Sequence, residues 1–279
     1  MTPRSRLTVL CGALLALLSS APAFGARPHD AAPPPGDAFD AKVALAASQA
    51  ALGRVPAETA FTASDGRAVR LSDYRGQPLV ISLVYTSCHH ICPTTTQHLA
   101  KVVRIARAAL GTDSFRVATV GFDTVHDKPE AMAQFARQQR LELGGWDFLS
   151  TDAATLARLG ADLGFLYFPA PQGFDHLIQA TVLDGNGKIY RQVYGMTFDT
   201  PLLVEPLKEL VFGQPVSASF LADLGNKIKL FCTVYDPSSD RYKFDYSIFI
   251  GLFIGLSSLG FISFLVLREW RRQRPRPRA

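Results

Sequence analysis

Hydrophobic positions divide the chain into segments of different period. Leu79 to Tyr85 is apolar on both faces and rich in β-branched residues, behind Gly76 and Pro78, which predicts a central strand covered on two sides. From Pro93 to Leu110, the residues Leu99, Val102, Val103, Ala106 and Leu110 recur at helical spacing, and Gly111 stops the helix. Phe115 to Phe122 is a second β-rich run, followed by a helix with Pro129 near its first turn. Trp146 to Ser150 reads as a short strand and Ala153 to Leu163 as a helix. Gln179 to Leu183 and Lys188 to Tyr194 form a hairpin across Asp184-Gly-Asn-Gly187, and Pro201 to Val211 is a last helix. Upstream, Asp65-Gly66 marks a hairpin between Phe61 and Ser72, and Asp73 to Gly76 turns the chain into the central strand. Strands alternating with helices and closed by a hairpin give an α/β sandwich.

The two ends differ from this body. Arg4 and Arg6 precede the apolar run Leu7 to Leu18, and Ala23-Phe-Gly25 supplies a small-x-small site, so residues 1–25 read as an export signal cut after Gly25. Cys11 lies inside that run and leaves with it; the alternative, an uncleaved anchor, has about 12 apolar residues, few for a span. Residues 26–51, with Pro33-Pro34-Pro35-Gly36 and many alanines, form a flexible tether with at most a short helix. The domain runs from 52 to 213 and a juxtamembrane spacer from 214 to 245. In that spacer Phe220 to Phe231 is amphipathic and Tyr235 to Tyr242 is rich in turn residues. Tyr246 to Leu267 holds no charge and is long enough to cross a bilayer core of ~30 Å. Arginines directly behind it make 268–279 a cytoplasmic basic tail and put the body on the outer, periplasmic side of a bacterial-type inner membrane.

Charge then excludes one class. The net charge of +5 is a tail effect: six Arg and one Glu after Leu267 supply +5, Arg4 and Arg6 supply +2, and residues 26–267 carry about −2. No basic field for nucleic acid covers the body.

Chemistry concentrates where the central strand ends, at Cys88 and Cys92. Pro93 biases Cys92 away from helical geometry and itself suits the first helical position, which sets Cys92 near the N-cap, where free amides favour a thiolate. Two thiolates on one short loop can form a disulfide, hold a soft metal, or attack another disulfide. An inert bridge would close a loop of about four residues, a small entropic gain.

Three motifs in order, Tyr85-Thr-Ser-Cys-His-His-Ile-Cys-Pro93, Gly121-Phe-Asp-Thr-Val-His-Asp-Lys-Pro129 and Gly173-Phe-Asp-His176, resemble the Sco/SenC family of membrane-anchored copper-binding proteins over roughly residues 50 to 213. The resemblance implies a thioredoxin-like sandwich and a copper site made by Cys88, Cys92 and His176. It also implies a role in assembling the dinuclear copper A centre of cytochrome c oxidase subunit II, as copper donor or as thiol reductant of that centre's cysteines. Asp123 or Asp127 corresponds to a residue behind the site or facing a partner. Two thiolates and an imidazole suit Cu(I) and accept Cu(II), whereas structural zinc prefers a fourth protein ligand.

The remaining candidates sort around that site. His89 and His90 lie between the cysteines and read as solvent- or partner-facing, with auxiliary ligation as the alternative; His98 and His126 read as surface residues. Cys232 is a buried thiol, an intermolecular disulfide or a transient ligand. Three residues separate Cys88 from Cys92 where thioredoxin-type oxidoreductases have two, and no proline directly precedes the facing strand, which favours a metal carrier over a dedicated reductase. The expectation is a copper chaperone that takes copper from an upstream periplasmic donor and passes it to subunit II. A thiol-disulfide oxidoreductase and a copper or redox sensor are the alternatives.

Overall fold

The computed structural model describes residues 39–141, 143–213, 233–236, 239 and 241–273. The proposed signal with Cys11, the proline-rich part of the tether, the segment Phe220 to Phe231, Cys232 and the last six residues lie outside the described residues.

Seven strands form one mixed sheet in the order β2-β1-β5-β4-β3-β8-β9. They are β1 (Ala60–Ala63), β2 (Ala68–Arg70), β3 (Leu79–Val84), β4 (Arg116–Gly121), β5 (Trp146–Ser150), β8 (Gln179–Leu183) and β9 (Ile189–Tyr194). β3, β4 and β5 are parallel, joined through α2 (Ile91–Leu110) and α3 (Pro129–Gln138). α4 (Ala153–Leu163) follows β5, and β8 returns antiparallel to β3. Every residue of β3 and of β8 is buried, as central strands covered on both faces require. One group of polar atoms in this interior is paired across strands: Thr119 Oγ1 accepts from Trp146 Nε1 at 2.9 Å and lies 2.9 Å from Ser82 Oγ, linking β5, β4 and β3.

The sheet places the site because β3 ends against α2 with only Tyr85 to His90 between them. α2 packs on α5 (Pro201–Phe212), and α3 lies along β5. α1 (Ala41–Ala50) is the short helix allowed for in the tether. Asp40 caps it by accepting from the amides of Lys42 and Val43, and Ser48 and Gln49 reach Tyr194 of β9 at 2.9 and 2.6 Å. It presses so closely on the end of α4 that a β-carbon at Gly164 would fall 2.3 Å from the Ala47 carbonyl oxygen.

Two short hairpins were not foreseen from the pattern. Among the described residues, β6 (Tyr167–Ala170) and β7 (Gly173–His176) pair only with each other. β10 (Thr233–Asp236) and β11 (Arg241–Phe244) form a second ribbon where the sequence suggested a turn-rich spacer. This ribbon is fastened to α5: buried Lys208 sends its ammonium to the Thr233 carbonyl and to Glu205, each at 2.8 Å, and lies 5.8 Å from the Tyr242 ring. α6 (Ser247–Gln273) follows, and Phe249–Arg272 within it is long and apolar enough to cross a membrane. Its described side chains are exposed, which excludes a core helix of the domain.

Candidate metal centre

Cys88 and Cys92 are free, buried thiols on the β3–α2 connection. Their loop is shaped by backbone bonds: the Cys88 amide donates to the Tyr85 carbonyl at 3.1 Å, and the Cys92 amide donates to Cys88 Sγ at 3.3 Å. The helix begins two residues earlier than the sequence suggested, with His90 as N-cap, so Cys92 is the second helical residue and Pro93 the third. Proline is tolerated there because first-turn amides have no acceptor within the helix.

This geometry makes the two thiols unequal. Burial pushes Cys88 up, but the amides of Cys92 and His90 and the Tyr85 hydroxyl outweigh it, leaving its pKa below the ordinary thiol value. Cys92 lies deeper, and burial, with the Cys88 charge added, pushes it well above the ordinary value. Cys88 is therefore the thiolate that forms first.

His176 ends β7, half-buried in an aromatic nest, with its ring centroid 5.1 Å from Phe122, 5.5 Å from Phe165 and 6.3 Å from Tyr85. Burial lowers its pKa against the pull of the Leu177 carbonyl and Asp175, so the ring is neutral at pH 7. Nδ1 lies 3.1 Å from the Leu177 carbonyl, and donating there leaves the lone pair on Nε2. His176 and Cys92 line one cavity with Ile91, Thr95, Ile178 and Phe198. The donor chemistry of two thiols and a neutral imidazole fits copper. Among the described residues, however, no three His, Cys, Asp or Glu side chains stand close enough together to hold a metal ion. Cys92 and His176 share that cavity, and Cys88 lies beside it on the same loop as Cys92.

The two aspartates divide. Asp127 is 1% exposed, and its carboxylate accepts from the Thr86 amide (2.8 Å), the Thr86 hydroxyl (2.7 Å) and the Asp123 amide (2.9 Å). It thus ties the loop leading to Cys88 to the loop after β4 and cannot face a partner. Burial raises its pKa from the ordinary 3.8 against those donors. Gly121 makes room for it: a β-carbon there would meet Asp127 Cβ at 2.5 Å. Asp123 pairs with the exposed His126, its carboxylate 2.8 Å from Nδ1.

His89 and His90 are exposed, as is His126. His98 is not a plain surface residue: its Nε2 lies 2.8 Å from the Phe198 carbonyl and 3.1 Å from the Phe198 amide, with the two rings 4.7 Å apart. It fastens the β9–α5 connection to α2. The residue that sequence reasoning missed is Tyr85, 7% exposed, whose carbonyl accepts from the Cys88 amide and whose ring meets Phe174 of the β6–β7 hairpin. Its place directly after the buried central strand, three residues before Cys88, was the available signal.

Comparison with known proteins gives one family model, described as SCO1/SenC, that matches residues 49–211. A curated relative, the SCO1 protein homolog of Bacillus subtilis, is 25% identical over 140 residues, 49% of this chain and 72% of the relative. Among solved structures, one from Aquifex aeolicus is 26% identical with a TM-score of 0.53, over 61% of this chain and 99% of that one. BsSco, described as a member of the Sco family of cytochrome c oxidase assembly proteins with a disulfide switch, superposes with a TM-score of 0.52 at 19% identity, over 57% and 95% of the two chains. The thioredoxin-like fold of these proteins is the fold of this chain.

Proposed function

The chain belongs to the SCO1/SenC family, and from that premise we propose that it is a membrane-anchored copper chaperone for cytochrome c oxidase assembly. Its cargo is one copper ion, Cu(I) or Cu(II), held by Cys88, Cys92 and His176 and delivered to the dinuclear copper A site of subunit II. The observation that carries this reading is the pair of free, buried thiols at the start of α2, with a neutral imidazole on the wall of the cavity that Cys92 lines. Cys88, with its lowered pKa, offers the first thiolate, and Cys92 loses its proton as copper displaces it. Three protein ligands leave a coordination position for an incoming ligand of the receiving protein. Asp127 braces the cysteine loop. Asp123, with the exposed His89, His90 and His126, faces the partner.

The same proposal sets the topology. The signal peptide is removed, α6 anchors the domain on the periplasmic side, and the arginine-rich tail stays in the cytoplasm. A periplasmic donor loads the site.

One observation favours a second reading, reduction of the client's disulfide: the two thiols are asymmetric, as a nucleophile and a resolving thiol are. Cys88 thiolate would attack one client sulfur and release the other as thiolate. Cys92 would then lose its proton, attack Cys88 and release the second client thiolate. A Cys88–Cys92 disulfide forms, and two electrons pass to the client. Oxidase copper content in strains carrying Cys88→Ser, Cys92→Ser or His176→Ala separates the two. Equal loss in all three supports the chaperone. Retention in His176→Ala alone supports the reductase.

A further inference from the structure

His176 reaches the site on a hairpin outside the seven-stranded sheet: among the described residues, β6 and β7 pair only with each other. The ring nitrogen Nδ1 is spent on the neighbouring Leu177 carbonyl and gives no tie to the dithiol loop. The hairpin's position relative to the cysteines must come from elsewhere.

Tyr85 provides it. Its ring meets Phe174 of β7 edge-on at 5.3 Å and His176 at 6.3 Å, and is backed by Phe122 at 5.2 Å. Its hydroxyl lies over the backbone of Gly173, where a β-carbon would fall 2.7 Å from the oxygen, 2.9 Å from Cε2 and 3.0 Å from Cζ. Gly173 has φ +126°, a conformation that side chains rarely adopt. Two independent requirements, backbone conformation and contact, therefore fix glycine at 173. The carbonyl of the same residue accepts from the Cys88 amide at 3.1 Å. One residue thus touches both segments that carry the proposed ligands.

We propose that Tyr85 and Gly173 form a fitted contact that sets where His176 stands relative to Cys88 and Cys92, a positioning pair for the copper site. The inference rests on the reading of these three residues as copper ligands. The close approach of the Gly173 backbone to Tyr85 keeps the imidazole within reach. A side chain at 173 pushes the hairpin off Tyr85 and carries His176 away.

The test uses the full chain, reduced, in detergent, with Cu(I) affinity read by competition with a chromophoric chelator and amide exchange of 173–176 read on the metal-free chain. Gly173→Ala weakens Cu(I) binding by about tenfold, as loss of ligand support does, and speeds exchange in β7 while the near-ultraviolet spectrum stays that of a folded protein. In a His176→Ala background the same change has no further effect on affinity. Adding Tyr85→Phe to Gly173→Ala, which removes the nearest clashing atom, recovers part of the loss. Unchanged exchange at 173–176, unchanged affinity in Gly173→Ala, or an equal loss with and without His176 overturns the proposal. Should His176→Ala alone leave Cu(I) affinity unchanged, the ligand reading fails, and the exchange measurement still decides the Tyr85–Gly173 contact.

Discussion

Replacing Asp127 tests how the dithiol loop is held. Its carboxylate accepts two backbone amides and one hydroxyl, at 2.7 to 2.9 Å, from a position 1% exposed. Asp127→Ala strands the Thr86 and Asp123 amides, each at about 1–3 kcal/mol for an unmet, part-buried donor; the Thr86 hydroxyl can turn elsewhere. The summed cost is roughly 2–6 kcal/mol, a large share of a typical domain's stability. Asp127→Asn keeps one oxygen for Thr86 but turns an amide donor toward the Asp123 N–H, and costs about 1–2 kcal/mol. Denaturant unfolding of the reduced, metal-free chain should place the stabilities in the order wild type, Asn, Ala. Cys88, two residues beyond Thr86, should alkylate faster in the Ala variant. An Ala variant within about 1 kcal/mol of wild type, well under the typical cost of such a buried network, would refute this account of the loop.

Other consequences are as direct. His176 has its folded pKa below its unfolded 6.5, so the unfolded chain binds more protons; the stability from keeping it neutral is present above pH 6.5 and lost as pH falls through the folded value. Unfolding midpoints of the metal-free chain measured downward from neutral pH should fall more steeply for wild type than for His176→Phe, and parallel curves would contradict the burial. With iodoacetamide at neutral pH, Cys88 should be modified well before Cys92; the reverse order would contradict the assigned asymmetry. Lys208→Met removes the buried ammonium from the Thr233 carbonyl and should cost about 1–3 kcal/mol, releasing 233–244 to fast amide exchange while leaving Cu(I) binding unchanged.

The regular elements were legible because their patterns are long. β5, α4 and β8 coincide with the predicted Trp146 to Ser150, Ala153 to Leu163 and Gln179 to Leu183, each bounded by turn residues or a capping aspartate such as Asp152. The β6–β7 hairpin was not legible: Pro169 stands inside β6, and neither four-residue strand alternates, since the hairpin rests on an aromatic cluster instead of a sheet. The β10–β11 ribbon hid for a related reason, as its anchor, Lys208, lies on a distant helix. At the site, motif spacing singled out Cys88, Cys92, His176 and the two aspartates. Which aspartate is buried depended on Gly121 and Thr86, contacts that only the fold creates. Tyr85 escaped because an aromatic residue ending an apolar strand reads as core.

Copper X-ray absorption on the loaded full chain reads the ligand set itself. One copper per chain is expected, with two sulfur and one imidazole nitrogen neighbours, the nitrogen shell vanishing in His176→Ala and both sulfurs retained. A sulfur-only site in the wild type, or a nitrogen shell that survives His176→Ala, would contradict that ligand set.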